Sequence, residues 1–98
     1  MIETLSALAE PNRLAIVELL RGGPRSVNEI VGELHLRQPL VSKHLKVLTE
    51  AGVVAARADA QRRIYRVEPE RFREIDAWLD SFAQTWADRL DRLEEHLR

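Results

Sequence analysis

The sequence predicts a mainly α-helical domain carrying one small β-hairpin, with five helices in all. Apolar residues recur every three or four positions through most of the chain, which is helical spacing. The stretch from Val53 to Val67 breaks that spacing and instead holds two short runs joined by polar and small residues. Ninety-eight residues without repeats, low-complexity stretches or a linker make one domain over 1–98.

Ile2, Leu5, Leu8 and Ala9 suggest a short first helix that stops before Pro11. Pro11 suits the first turn of a second helix, because its missing N–H would have no partner there. Ile16, Val17, Leu19 and Leu20 give that helix an apolar face until Gly22-Gly23-Pro24 ends it. Ser26-Val27-Asn28-Glu29 reads as a capping box, with Ser26 as N-cap and Glu29 at the third helical position. Behind it, Val27, Ile30, Val31 and Leu34 form one buried face of a third helix. The break His35-Leu36-Arg37 leads into a fourth helix with Pro39 in its first turn. Val41, Leu45 and Leu48 are its inner face, and Gly52 ends it.

Val53 to Arg57 and Arg62 to Val67 read as two strands joined around Ala58 to Gln61. After Pro69, the residues Phe72, Ile75, Leu79, Phe82, Trp86, Leu90, Leu93 and Leu97 step by three or four. No glycine or proline interrupts them, so they predict one amphipathic helix of ~40 Å.

A net charge of −1 conceals an asymmetry. Residues Arg37 to Arg66 carry a balance of +5, and residues Val67 to Arg98 carry −4. A basic middle beside an acidic tail implies that the middle faces a polyanion. Without cysteine there are no disulfides, thiolate metal sites or thiol nucleophiles, which fits a reducing cytoplasm. No apolar run approaches the length of a membrane span, and no signal-peptide pattern follows Met1. The chain has no Gly-x-Ser-x-Gly, no phosphate-cradling glycine loop and no paired histidines, so it is not expected to be an enzyme.

Two short helices joined by a tight turn and followed by a two-stranded ribbon form a winged helix-turn-helix, whose second helix enters the major groove of DNA. Projected at 100° per residue, Pro39, Ser42, Lys43 and Lys46 fall opposite the inner face of the fourth helix, with Leu40 at the edge; His44 flanks the inner face and is counted with them among the DNA-binding residues, as a phosphate contact. Gln38 has the donor and acceptor for a bidentate contact to adenine, and Leu40 suits a thymine methyl. Lys43 and Lys46 can reach bases or phosphates, and their spacing leaves both open. Arg57, Arg62 and Arg63 cluster at the hairpin, where they can straddle a backbone or enter the minor groove. Tyr65 is expected to pack.

These segments resemble the ArsR family of bacterial regulators. Leu8-Ala9-Glu10-Pro11-Asn12-Arg13-Leu14 is similar to the family's opening signature, and Gln38 to Leu48 resembles its recognition helix. Ala51-Gly52-Val53-Val54 and Arg62 to Val67 are similar to its wing strands, and the similarity runs without gaps from Leu8 to Pro69. The resemblance implies a dimeric DNA-binding repressor that leaves its operator when a signal arrives. Three positions depart from the family pattern. His35 stands where the turn commonly has glycine, Arg37 where a capping serine is usual, and Ala60 where the wing tip commonly has glycine.

Some family members sense metals through cysteines before the third helix, where this chain has Ser26 and Asn28. Others bind zinc between C-terminal helices, where this chain offers only His96, with no histidine partner. No metal or other cofactor is therefore expected. A small-molecule effector stays open. Trp78, Phe82 and Trp86 have the spacing to line a pocket between subunits, although dimer core is the favoured role for them.

The long apolar stripe exceeds what the small preceding body can cover. The expected solution is a two-fold dimer built from helices within 1–10 and 70–98, using Ile2, Leu5, Leu79, Phe82, Trp86, Leu90, Leu93 and Leu97. Two recognition helices about one DNA turn apart then call for an inverted-repeat operator. The competing expectation is a winged-helix module that binds protein, whose affinity would depend little on salt.

Overall fold

The computed structural model describes residues 1–97. Its elements follow in the order α1 (Ile2–Leu8), α2 (Pro11–Arg21), β1 (Arg25–Ser26), α3 (Val27–Leu34), α4 (Gln38–Glu50), β2 (Val54–Asp59), β3 (Arg62–Val67) and α5 (Pro69–Leu97). Five helices and a small sheet make a winged helix-turn-helix.

Local chemistry fixes most of the boundaries. Glu10 caps α2 by accepting a hydrogen bond from the Arg13 amide at 2.8 Å, and Pro11 follows at the first helical position. Arg13 also donates from Nε to the carbonyl of Ala7 at 2.6 Å, which fastens the end of α1 to the start of α2. The capping box of α3 forms in both directions. Ser26 Oγ accepts from the Glu29 amide at 3.2 Å, and Glu29 Oε1 accepts from the Ser26 amide at 3.0 Å. His35 ends α3 in the left-handed conformation at φ 56°, which histidine tolerates where glycine is commoner. Arg37 precedes α4 with no side-chain capping hydrogen bond.

The sheet has three strands rather than the two expected, in the order β1-β3-β2, all antiparallel. Arg25 pairs with Tyr65 and Ser26 with Ile64. Two residues are too short to show an alternating pattern, and Ser26 already carries the helix signal of α3. Strand β2 also runs further than expected, to Asp59, so that only Ala60 and Gln61 remain in the turn. Ala60 takes φ 57° there, the left-handed conformation such tight hairpin turns require.

Ile16, Ile30, Val41, Leu45, Leu48 and Val53 are fully buried where α2, α3 and α4 meet the base of the sheet. Each contributes roughly 1.5–3 kcal/mol of burial. Tyr65 joins this core, as its packing role requires. Phe72 packs against the core from the first turn of α5, and beyond it the helix leaves the body. The molecule measures 67 × 23 × 22 Å, and no residue of α5 is buried.

Candidate nucleic-acid interface

Helix α4 lies against the core through Val41, His44, Leu45 and Leu48. Its register therefore turns Gln38, Pro39, Ser42, Lys43 and Lys46 to solvent, and leaves Leu40 half-buried on one flank. Five of the side chains expected to face DNA thus share one continuous exposed surface.

His44 does not join them. It is 7% exposed and turned inward, with Nε2 3.7 Å from Glu10 Oε2. Neither ring nitrogen has a hydrogen-bond partner. The docking of the α2 N-terminus over α4 covers this position, so the imidazole packs instead of reaching outward. The Arg13 amide hydrogen bond holds the Glu10 carboxyl below its ordinary range.

The wing separates its three arginines. Residues directly opposite in an antiparallel pair share a face. The pairs Ala58↔Arg63 and Ala56↔Tyr65 lie on one face, and Arg57↔Ile64 and Asp59↔Arg62 on the other. Arg63 and Tyr65 line a cavity of about 560 Å³ with Ser42, Lys46 and Thr49, so this face looks toward α4. Arg62 is engaged by Asp59 at 3.2 Å across the turn. Asn28, Gln61 and Glu50 also border the space between α4 and the wing. Sequence reasoning missed these three, because only the strand register and the helix docking bring them there.

The expected dimer residues are exposed in the isolated chain, apart from Leu5, which is half-buried. Phe82 is 47% exposed, Trp86 60% and Leu90 62%. Trp78 and Phe82 stack edge to face at 4.9 Å, and Arg89 covers the Trp86 ring at 5.6 Å. Among the described residues, no group of three or more His, Cys, Asp or Glu side chains is arranged to hold a metal ion. None of the described helices is long and apolar enough to cross a membrane.

An exposed, acid-poor helix face beside a basic β-wing is the arrangement of a winged helix-turn-helix. Comparison with known proteins makes the class more specific. Residues 10–56 match the model of the bacterial regulatory proteins of the arsR family. The chain is 43% identical over 88 residues to the HTH-type transcriptional repressor SmtB of Mycobacterium tuberculosis, covering 90% of this chain and 64% of that protein. A second HTH-type transcriptional regulator of M. tuberculosis is 42% identical over 76 residues, covering 78% of this chain and 71% of its own length. The solution structure of a homodimeric winged helix-turn-helix DNA-binding domain from Mycobacterium bovis superposes with a TM-score of 0.69. It is 30% identical and covers 85% of this chain and 77% of that one. The chain belongs to the ArsR family of bacterial regulatory proteins.

Proposed function

We propose that this chain is a homodimeric transcription regulator, acting as a repressor in the cytoplasm, that binds an inverted-repeat operator in double-stranded DNA. The observation that carries the reading is the outward face of α4, where Gln38, Ser42, Lys43 and Lys46 are exposed together with no carboxylate before Glu50. These groups supply both the hydrogen bonding that distinguishes base edges and the charge that offsets phosphates. The relatives named as transcriptional repressor and regulator support the same reading.

The dimer supplies the two-fold symmetry. The exposed stripe from Leu79 to Leu97 continues along the free length of α5, and pairing with a second copy covers it. Two α4 helices then reach successive major grooves ~34 Å apart. An effector acts by binding the DNA-incompetent arrangement more tightly than the competent one. The Trp78, Phe82 and Trp86 rings serve the dimer core in this reading, and they also offer the apolar surface that such a ligand would use.

The test is selection of random duplex DNA by the purified protein at two salt concentrations. Enrichment of an inverted repeat, bound more weakly at the higher salt, supports the reading. A folded dimer that enriches no sequence refutes it and favours a protein-binding module.

A further inference from the structure

The cavity of about 560 Å³ between α4 and the wing continues into a second of about 250 Å³, since Val27 and Arg63 line both. Together they form a trough along the wing-side flank of α4. Gln38, Ser42, Lys46 and Thr49 follow one another along its helical wall. Arg63 stands on the opposite wall, at the junction of the two cavities. The lining of the smaller cavity carries Asn28, Gln38, Gln61, Arg62 and Arg63 and no carboxylate. One acid, Glu50, borders the larger cavity at the far end of α4.

The dimensions decide what this trough faces. An α-helix with its side chains is ~10–12 Å across, and the major groove is ~12 Å wide. A helix seated there presents its outward stripe to base edges and its flanks to the groove walls, which are the sugar–phosphate backbones. On α4 the outward stripe is centred on Pro39 and Lys43, whereas Ser42 and Lys46 lie toward the wing.

We propose that the trough seats one backbone strand of the bound duplex, with Lys46 and Arg63 gripping a phosphodiester from opposite walls. This rests on the DNA-binding reading and refines it. Lys46 becomes a phosphate contact, and base reading falls to the outward stripe around Lys43. Of the three wing arginines, Arg63 supplies the grip, because it lines both cavities, whereas Arg62 borders only the smaller one and is already paired with Asp59, and Arg57 lines neither. Glu50 repels the strand and marks where it leaves the trough.

The experiment measures binding of the full chain to the selected duplex and to a scrambled duplex across a salt series. The variants are Lys46→Ala, Arg63→Ala and Glu50→Gln, with Arg21→Ala, an exposed arginine on α2, as the charge-matched control. Lys46→Ala and Arg63→Ala are each expected to weaken both duplexes by the same factor. Each removes one phosphate contact from each protomer and so lowers the slope of log K against log salt by ~1.8, which makes binding about 12-fold less sensitive to a fourfold change in salt. Glu50→Gln strengthens both duplexes equally, and Arg21→Ala leaves the slope unchanged. The proposal is overturned if Lys46→Ala or Arg63→Ala alters the preference between duplexes at an unchanged slope, or changes neither quantity. A wild-type chain that selects no duplex at all refutes the DNA-binding reading itself, a different result from any of these.

Discussion

Truncating Phe82 to alanine isolates the contribution of the α5 stripe to dimer formation. In the isolated chain the residue is 47% exposed, so about half of its surface remains to be covered by a partner. A buried aromatic side chain removes roughly 150–250 Å² from water, and half of that at ~25 cal/mol per Å² is about 2–3 kcal/mol. Two-fold symmetry counts the loss twice, which gives about 4–6 kcal/mol per dimer. Some of this is recovered by the alanine methyl and by relaxation, so a dimer dissociation constant weakened about a thousandfold is expected, ~4 kcal/mol. Sedimentation equilibrium over a wide concentration range reads this constant directly. Circular dichroism of the variant at low concentration checks that the domain stays folded, since Phe82 lies outside the buried core. A folded variant with an unchanged dissociation constant would refute the assignment of this stripe to self-association.

The remaining predictions concern the frame that presents α4. Ser26→Ala removes the capping box of α3 and is expected to cost ~1 kcal/mol, a fall of roughly 4–8 °C in Tm by thermal denaturation. Gly52→Ala is expected to destabilise by ~1–2 kcal/mol in urea unfolding. The position has φ 76°, and an added Cβ would lie 2.9 Å from Arg71 Nε. Ala60→Gly relieves the positive φ at the wing tip and is expected to leave stability level or raise it by under ~1 kcal/mol, read from the same unfolding curves. Hydrogen bonds from the Ser26 backbone and hydroxyl hold the Glu29 carboxyl below its ordinary range. Its contribution is therefore present at neutral pH and lost as pH falls through that lowered value, so wild type should lose more stability than Glu29→Gln between pH 5 and pH 3.

The helices were legible because each carries both a spacing and a stop. Pro11, Ser26 with Glu29, and Gly52 mark boundaries by chemistry that is local to a few residues. The outward face of α4 followed from the positions of Val41, Leu45 and Leu48 alone. Strand β1 was not legible, since a two-residue strand has no period and its pairing with Ile64 and Tyr65 is a long-range choice. Which wing arginine lines both cavities beside α4 was equally hidden. It depends on the turn being two residues long, and one residue of slip would exchange Arg62 with Arg63. The burial of His44 depends on a third element. On a helical projection it borders the inner face, and only the docking of the α2 N-cap over it settles that it turns inward.

Whether the outward face of α4 reads DNA sequence is decided by repeating the duplex selection with Lys43→Ala and with Gln38→Ala. The enriched motif is expected to change or disappear at symmetric positions in both half-sites, while the variants remain folded dimers. Recovery of the wild-type motif by both variants, with the same relative affinities, would show that this face does not read sequence.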